Sequence, residues 1–111
     1  MWVSDTVRQD FKTRYDKMST ILTDKLKNYS VRIGIFGSYS RNDYKATSDI
    51  DFVVITNDDI PRYLRGDLSC DADELNCDIT FVTTDYFEYD TLIMATNLRN
   101  DFKDIVKEKI G

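Results

Sequence analysis

The sequence predicts a single α/β domain over residues 1–111, in which helices pack on a small mixed β-sheet of three to four strands. Residues 6–29 repeat apolar side chains every three or four positions, which is the period of an amphipathic helix. Residues 31–36, 49–56 and 77–82 are short runs rich in β-branched and aromatic side chains, as strands are. A chain of 111 residues, 41% of them hydrophobic, suffices for one domain with a modest core.

The first element is a long helix predicted over residues 6–29. Thr6 and Gln9 have the spacing of a capping box at its start, and residues 28–30 provide a stop signal. We expect this helix to stabilise the sheet by packing on it rather than to take part in chemistry. Its apolar stripe consists of Val7, Phe11, Tyr15, Met18, Leu22, Leu26 and Tyr29.

The first two strands are predicted on either side of a polar connection. Residues 31–36 form the first, and Gly37 then begins a turn into a short helical segment. Residues 49–56 form the second, which is apolar on both faces and is therefore expected to be a buried central strand. Its side chains alternate, with Ile50, Phe52 and Val54 on one face and Val53 and Ile55 on the other.

The segment between the second and third strands is predicted to be mostly surface. Residues 57–59 form a turn, and residues 60–64 form a short helix with Pro61 in its first turn. Residues 66–76 are polar and acidic, and we expect a solvated loop there. Calcium binding by this loop is disfavoured because the EF-hand spacing and its bidentate glutamate are absent.

The C-terminal third begins with the third strand, predicted over residues 77–82. An aromatic connection follows over residues 84–89, and then a helix over residues 91–102. Residues 105–110 fit either an extension of that helix or a short final strand, and their sequence pattern does not decide between the two.

Charge and composition exclude several classes of function. The net charge of −5 argues against a protein that holds an extended nucleic acid, since such a protein needs a basic groove. The absence of histidine leaves carboxylates, hydroxyls and basic side chains to carry any chemistry. Cys70 and Cys77 are separated by six residues and lack partners for a zinc site, so we expect two reduced thiols.

The sequence is expected to be cytoplasmic. No apolar run approaches the ~20 residues that cross a bilayer. Residues 1–5 do not begin with the basic region and apolar core of a signal peptide. We therefore expect no membrane association.

Two aspartates open the second predicted strand. Asp49 and Asp51 are two positions apart, so their side chains lie on one face of a strand and are able to share bound metal ions. Placing two carboxylates at the end of a buried strand costs desolvation and mutual repulsion unless a cation or solvent compensates. This pair is the first candidate for a functional site.

The stretch around these aspartates resembles a family signature. Gly37-Ser38, ten further residues and then Asp49-x-Asp51 are similar to the motif of the nucleotidyltransferase superfamily that includes DNA polymerase β. Arg41, and Ser48 before the aspartates, resemble the small branch of that superfamily, the minimal nucleotidyltransferases (MNT) of HEPN/MNT toxin–antitoxin pairs.

The resemblance has two departures within the loop. Relatives commonly have a small apolar residue before the arginine and a glycine after it, where this chain has Ser40 and Asn42. Asparagine tolerates a positive φ better than most residues, so we expect the loop to keep its shape.

The resemblance implies a nucleotidyltransferase fold and a set of site residues. Gly37 and Ser38 would hold the phosphates of a nucleoside triphosphate, with Arg41 and Ser48 as further nucleotide-binding candidates. Arg41 is also a candidate partner contact or a solvent-facing side chain. Ser48 is in addition placed where its hydroxyl closes the turn onto the strand.

A third carboxylate is expected from the third strand. An aspartate inside a short β-rich run is unusual, and Asp78 is the acidic residue within residues 77–82. In the resembled family, this strand brings a third carboxylate to the metal pair. The resemblance therefore implies that Asp49, Asp51 and Asp78 are the catalytic residues and hold two Mg²⁺ ions. A solvent-facing aspartate on an edge strand is the alternative reading of Asp78.

The function implied by the resemblance is transfer of AMP from ATP to a tyrosine hydroxyl of a HEPN-domain toxin, which makes the chain an antitoxin. Two alternatives stay open: a non-catalytic antitoxin that binds its partner, and a small-molecule nucleotidyltransferase of the antibiotic-modifying type. Because the chain has no room for a second domain, we expect its partner to complete the site. Tyr39, Tyr44 and the Tyr86-Phe87 pair are predicted to flank the opening as interface aromatics.

Overall fold

A computed structural model of the protein describes residues 3–105 and shows a mixed sheet covered by helices on both faces. Within these residues the strand order is β3-β2-β1-β4; β2 and β3 are parallel, and the other two pairings are antiparallel. The predicted α/β class with a small mixed sheet is confirmed. In chain order, the elements are α1 (Asp5–Lys25), β1 (Arg32–Phe36), α2 (Gly37–Arg41), β2 (Ile50–Ile55), α3 (Arg62–Glu74), β3 (Cys77–Val82), α4 (Thr84–Tyr89), α5 (Ile93–Asp101) and β4 (Lys103–Asp104).

The core has two layers, one on each face of the sheet. The first lies under α1 and α3, and the even-numbered side chains of β2, Phe52 among them, point into it. The second lies under α4 and α5, and it contains Val53 and Ile55 of β2. β2 is thus an inner strand that is apolar on both faces, as its sequence pattern predicts.

Helix α1 follows its predicted apolar stripe but has different ends. Ser4 caps the helix, because its Oγ accepts the backbone N–H of Val7 at 3.3 Å, so the predicted capping box that begins at Thr6 is wrong. The helix ends at Lys25 rather than at residue 29. Four residues of the stripe are fully buried, which are Phe11, Met18, Leu22 and Leu26.

The predicted acidic loop over residues 66–76 is wrong, because α3 runs through it to Glu74. Leu64, Leu68 and Ala72 are spaced four residues apart and are buried on one face of α3, while the acidic side chains lie on its outer faces. Lys25 of α1 binds the Asp71 carboxylate at 2.7 Å and ties the two helices together.

The segments after β3 are also more regular than predicted. The aromatic connection is helix α4, in which the Thr83 side chain accepts the N–H of Tyr86 at 3.0 Å as an N-cap. The predicted helix over residues 91–102 is present as α5, Ile93–Asp101. A short strand, β4, follows and pairs with β1. Of the undecided segment 105–110, Ile105 continues this pairing by donating its N–H to Ile33, and residues 106–110 lie outside the described residues.

Over residues 3–105, none of the helices combines the length and the apolar character that a membrane span requires. Both cysteines are free thiols, Cys70 exposed and Cys77 buried.

Candidate active site

Three strand ends meet at one edge of the sheet, and each brings a residue of the predicted site. β1 ends at Phe36, directly before Gly37, and Phe36 is paired with Asp51 in the ladder. Asp51 is also paired with Asp78 across the parallel β2–β3 ladder. Side chains paired in this way project from the same face of a sheet, so the two carboxylates are neighbours. Asp49 lies just before β2, two positions from Asp51, and its side chain is within hydrogen-bond reach of the Asp78 side chain.

The three aspartates interact electrostatically. Burial of the half-buried Asp51, together with the charges of Asp78 and Asp49, raises the pKa of Asp51 to about 6. Burial raises the pKa of Asp78 as well, with further contributions from the charge of Asp49 and a side-chain hydrogen bond to it. The site therefore concentrates negative charge that a cation would relieve.

The donor set fits a hard divalent cation by its chemistry. Carboxylate oxygens are the ligands that Mg²⁺ prefers, and the pKa values of Asp51 and Asp78 are raised first by burial and then by the negative charge of the neighbouring aspartates. As the side chains are placed over residues 3–105, no group of three histidine, cysteine or acidic residues is arranged as a complete metal site. The three aspartates therefore suit Mg²⁺ by the kind of ligand atom they offer and by their combined negative charge.

Gly37 is required by the backbone at this point. Its φ is +78°, in a region that side chains with a Cβ rarely adopt. A Cβ built on Gly37 would lie 2.5 Å from Oδ2 of Asp51, too close for any real contact. The glycine thus allows the loop to pass directly against the carboxylate of the central strand.

The loop after Gly37 keeps its shape as predicted. Asn42 ends α2 with a φ of 66°, which confirms that asparagine takes the left-handed conformation at this position. Ser38 lies in the first turn of α2, and its carbonyl accepts the N–H of Asp43 at 3.0 Å. Ser48 closes the turn before β2, because its Oγ accepts the N–H of Lys45 at 2.9 Å.

Arg41 is held by two carboxylates. Its Nη1 lies 2.7 Å from Oδ2 of Asp101, and its Nε lies 3.1 Å from Oδ2 of Asp43. About half of the Arg41 side chain is exposed, and its charge lowers the pKa of Asp51, so it also lies within electrostatic reach of the aspartate cluster.

Asp101 is a residue of this site that sequence reasoning missed. It is the last residue of α5, and its Oδ2 accepts the N–H of Gly37 at 3.3 Å besides binding Arg41. An acidic residue at the C-terminal end of a helix opposes the helix dipole. That misplaced charge was the signal in the sequence that could have marked Asp101 as held by a partner elsewhere.

The aromatic residues predicted to flank the opening have mainly structural positions. Tyr44 and Phe87 are 4% and 6% exposed, and they belong to the cores on opposite faces of the sheet. Tyr39 is half-buried against Phe11, with ring centroids 5.7 Å apart. The prediction that Tyr44 and Phe87 form an interface is wrong, because both rings are needed to cover the sheet.

The fold and the strand-end geometry define the class of protein. The family model for the nucleotidyltransferase domain matches residues 15–110. The chain therefore belongs to the nucleotidyltransferase domain family. A comparison with curated proteins found no significant match.

Solved structures share the fold at low sequence identity. A crystal structure of a toxin–antitoxin with AMP-PNP is 23% identical with a TM-score of 0.58, covering 86% of this chain and 74% of the other. The structure of a tri-AMPylated Shewanella oneidensis HEPN toxin in complex with MNT antitoxin is 21% identical with a TM-score of 0.53. The match covers 86% of this chain and 71% of the other. A putative nucleotidyltransferase from Sulfolobus solfataricus is 18% identical with a TM-score of 0.58. The match covers 97% of this chain and 93% of the other. The predicted membership of the nucleotidyltransferase superfamily is confirmed by the family model, and the solved structures confirm the predicted nucleotidyltransferase fold.

Proposed function

We propose that this protein is a Mg²⁺-dependent nucleotidyltransferase that transfers AMP from ATP to a tyrosine hydroxyl of a HEPN-domain partner and thereby acts as an antitoxin. One observation carries the proposal: in a member of the nucleotidyltransferase domain family, Asp51 lies against the positive-φ Gly37 and is paired with Asp78, and the charge of Asp49 acts on both carboxylates. Family and fold support transferase activity. The nucleotide, the metal and the acceptor are our proposals.

The residues would divide the work as follows. Asp49, Asp51 and Asp78 would hold Mg²⁺, which when bound neutralises phosphate charge during an in-line displacement. The Gly37-Ser38 turn and Ser48 border the aspartates and would position the triphosphate, with Arg41 nearby. The half-buried position of Asp51 lowers the local dielectric and strengthens these interactions.

The chemical step would be a single displacement at the α-phosphorus. A bond forms between the acceptor oxygen and the α-phosphorus, and the bond from that phosphorus to the β-phosphate oxygen breaks, so that pyrophosphate leaves. The proton of the acceptor hydroxyl would pass to the carboxylate of Asp78. A carboxylate is one of the side chains that commonly serve as a general base for such a proton.

A protein partner is supported by an exposed apolar corner between α4 and α5. Tyr89, Leu92, Ile93 and Met94 are each at least 64% exposed, and they lie within six consecutive residues of the chain. Exposed apolar clusters of this kind mark protein interaction sites. Arg99 fixes the corner by donating to the carbonyl of Phe87 at 2.7 Å and to that of Asp90 at 3.0 Å.

The charge around this corner indicates the kind of partner that would bind it. Asp85, Glu88 and Asp90 are close to it in sequence, so a second copy of this acidic chain would bring like charges together. A partner with an apolar and basic face is favoured. The HEPN toxin is our choice because two of the structures with this fold are toxin–antitoxin complexes.

The test is intact-mass spectrometry of a HEPN protein encoded beside this chain, incubated with the chain, ATP and Mg²⁺. We expect one or more adenylate increments on the partner, and none with the Asp49→Asn/Asp51→Asn double variant. Asp104→Asn, which also removes a carboxylate but lies on β4, is the control and should remain active.

Two results would contradict the proposal. Full neutralisation of the partner by the double variant, without a mass change, would show a non-catalytic antitoxin. Transfer to an aminoglycoside-like small molecule, without binding to the partner, would show a small-molecule nucleotidyltransferase.

A further inference from the structure

The carboxylate of Asp101 accepts hydrogen bonds from two donors at or near the Gly37-Ser38 turn. Its Oδ2 accepts the Gly37 N–H at 3.3 Å and the Arg41 Nη1 at 2.7 Å. The Asp101 side chain is only 15% exposed and its bond to the Gly37 N–H is partly buried, whereas the Arg41 side chain is about half exposed. A backbone amide and a guanidinium are donors that a phosphate oxygen would also use.

The backbone around Asp101 is anchored to the same turn. The carbonyl of Asp101 accepts the hydroxyl of the buried Ser40, and Lys103 donates to the carbonyl of Ser40 at 2.6 Å. These bonds fasten the end of α5 to α2. The position of the Asp101 carboxylate is therefore built into the fold rather than adopted by a loose surface side chain.

Asp101 adds a fourth negative charge to the site and offsets its nearest positive one. Gly37 lies between two carboxylates, with Asp51 against its Cα and Asp101 against its N–H. Arg41, which shares Oδ2 of Asp101 with the Gly37 N–H, is paired with Asp101 and Asp43. A triphosphate that arrives without a cation thus meets four carboxylates and an arginine whose charge is already balanced.

We propose that Asp101 is a specificity-determining residue that makes nucleotide binding depend on a divalent cation. It does so by engaging the Gly37 amide and the Arg41 guanidinium, so that the turn offers little positive charge to the bare triphosphate. A metal-bound nucleotide brings its own positive charge to the aspartates and is accepted. This inference rests on the proposed function and concerns the same site.

The test is isothermal titration calorimetry with ATP, in EDTA and in Mg²⁺, on the wild type and on Asp101→Asn. The variant should bind ATP in EDTA about tenfold more tightly than the wild type, a change equal to ~1.4 kcal/mol. In Mg²⁺ the gain should be about threefold or less, because the metal has already neutralised part of the charge that the lost carboxylate repels. The ratio of the ATP dissociation constant in EDTA to that in Mg²⁺ should therefore be smaller for Asp101→Asn than for the wild type.

Two variants serve as controls. Asp104→Asn removes the same charge from β4, where the carboxylate pairs with Arg32 at 3.3 Å, and it should leave the ratio unchanged. Asp43→Asn frees one side of Arg41 but leaves the Asp101–Gly37 contact in place, so it should have a smaller effect than Asp101→Asn. An equal effect in Asp43→Asn would assign the change to net charge around Arg41 and overturn the inference.

The remaining outcomes are decisive as well. Unchanged or weaker ATP binding by Asp101→Asn in EDTA would show that Asp101 only stabilises the fold. That result would overturn this inference but not the proposed function. Failure of the wild type to bind ATP even with Mg²⁺ would overturn the proposed function, and this inference with it.

If circular dichroism shows that Asp101→Asn is unfolded, two other measurements serve. Asp101→Ser should show the same fall in the ratio. In the wild type, the amide resonance of Gly37 should shift on addition of ATP with Mg²⁺ and stay in place on addition of ATP in EDTA. A full shift in EDTA would contradict the proposal.

Discussion

Replacing Asp51 by asparagine should stabilise the metal-free protein, although it removes a residue that we place at the centre of the site. The pKa of Asp51 is raised from its ordinary value of 3.8 to about 6, first by burial and then by Asp78 and Asp49. A raised carboxyl pKa means that the folded state holds the proton more tightly than the unfolded state does. The associated stability is fully present below pH 3.8 and is lost as the pH rises through about 6.

The gain in stability expected for Asp51→Asn follows from the pKa shift of Asp51 and from the solvent exposure of its carboxyl group. A shift of about two pKa units corresponds to an upper limit of ~3 kcal/mol. Because half of the group remains accessible to solvent, screening reduces this to about 1 kcal/mol. In a domain of this size, about 1 kcal/mol raises the Tm by roughly 4 °C.

The assay is thermal unfolding in EDTA as a function of pH. The difference between Asp51→Asn and the wild type should be small near pH 4 and grow to about 4 °C by pH 7.5. Added Mg²⁺ should reverse the order, because a bound cation stabilises the folded wild type by mass action and the variant much less. A variant that is less stable in EDTA at pH 7.5, or a difference that does not depend on pH, would refute the reasoning.

Three further predictions test separate parts of the account. Asp78→Asn should slow adenylate transfer at least about tenfold while weakening ATP binding much less, as expected for a proton acceptor, and full activity in that variant would show that the third carboxylate is another residue. Gly37→Ala should lose roughly 1–2 kcal/mol of stability in urea unfolding, because the new side chain meets both the positive φ and Oδ2 of Asp51; unchanged stability would contradict the required close approach. Ile93→Glu should abolish partner binding in a pull-down and leave the ATP dissociation constant unchanged, with the exposed Tyr63→Glu on α3 as a control that keeps partner binding.

The strands and the positions of the aspartates on them were predictable because their signals are local. β2 is apolar on both faces and begins beside Asp51, and an alternating strand fixes the faces of its side chains whatever lies above them. β3 has the predicted bounds, and its register with β2 brings Asp78 next to Asp51. The family motif added the expectation that these strands meet, which local patterns alone do not give.

The sequence-based predictions failed where an acidic or aromatic composition was given more weight than the spacing of apolar residues. They also failed where the decisive contact joins residues far apart in the sequence. The acidic residues of α3 suggested a loop, although Leu64 and Leu68 already had the spacing of a buried helix face. The contact between Asp101 and Gly37 spans 64 positions, and local periodicity does not indicate such a pairing. Tyr44 and Phe87 suggested an interface because aromatic residues serve both cores and interfaces, and only packing decides between the two.

The most direct test of the central claim is label transfer to the proposed HEPN partner from ATP labelled at either the α- or the γ-phosphorus. Nucleotidyl transfer predicts that the α-label enters the partner and the γ-label leaves as pyrophosphate, and that neither enters with the Asp49→Asn/Asp51→Asn variant. Incorporation of the γ-label would show phosphoryl rather than nucleotidyl transfer. Incorporation of neither label by the wild type, in a complex that forms and contains Mg²⁺, would show that these aspartates do not catalyse transfer to that partner.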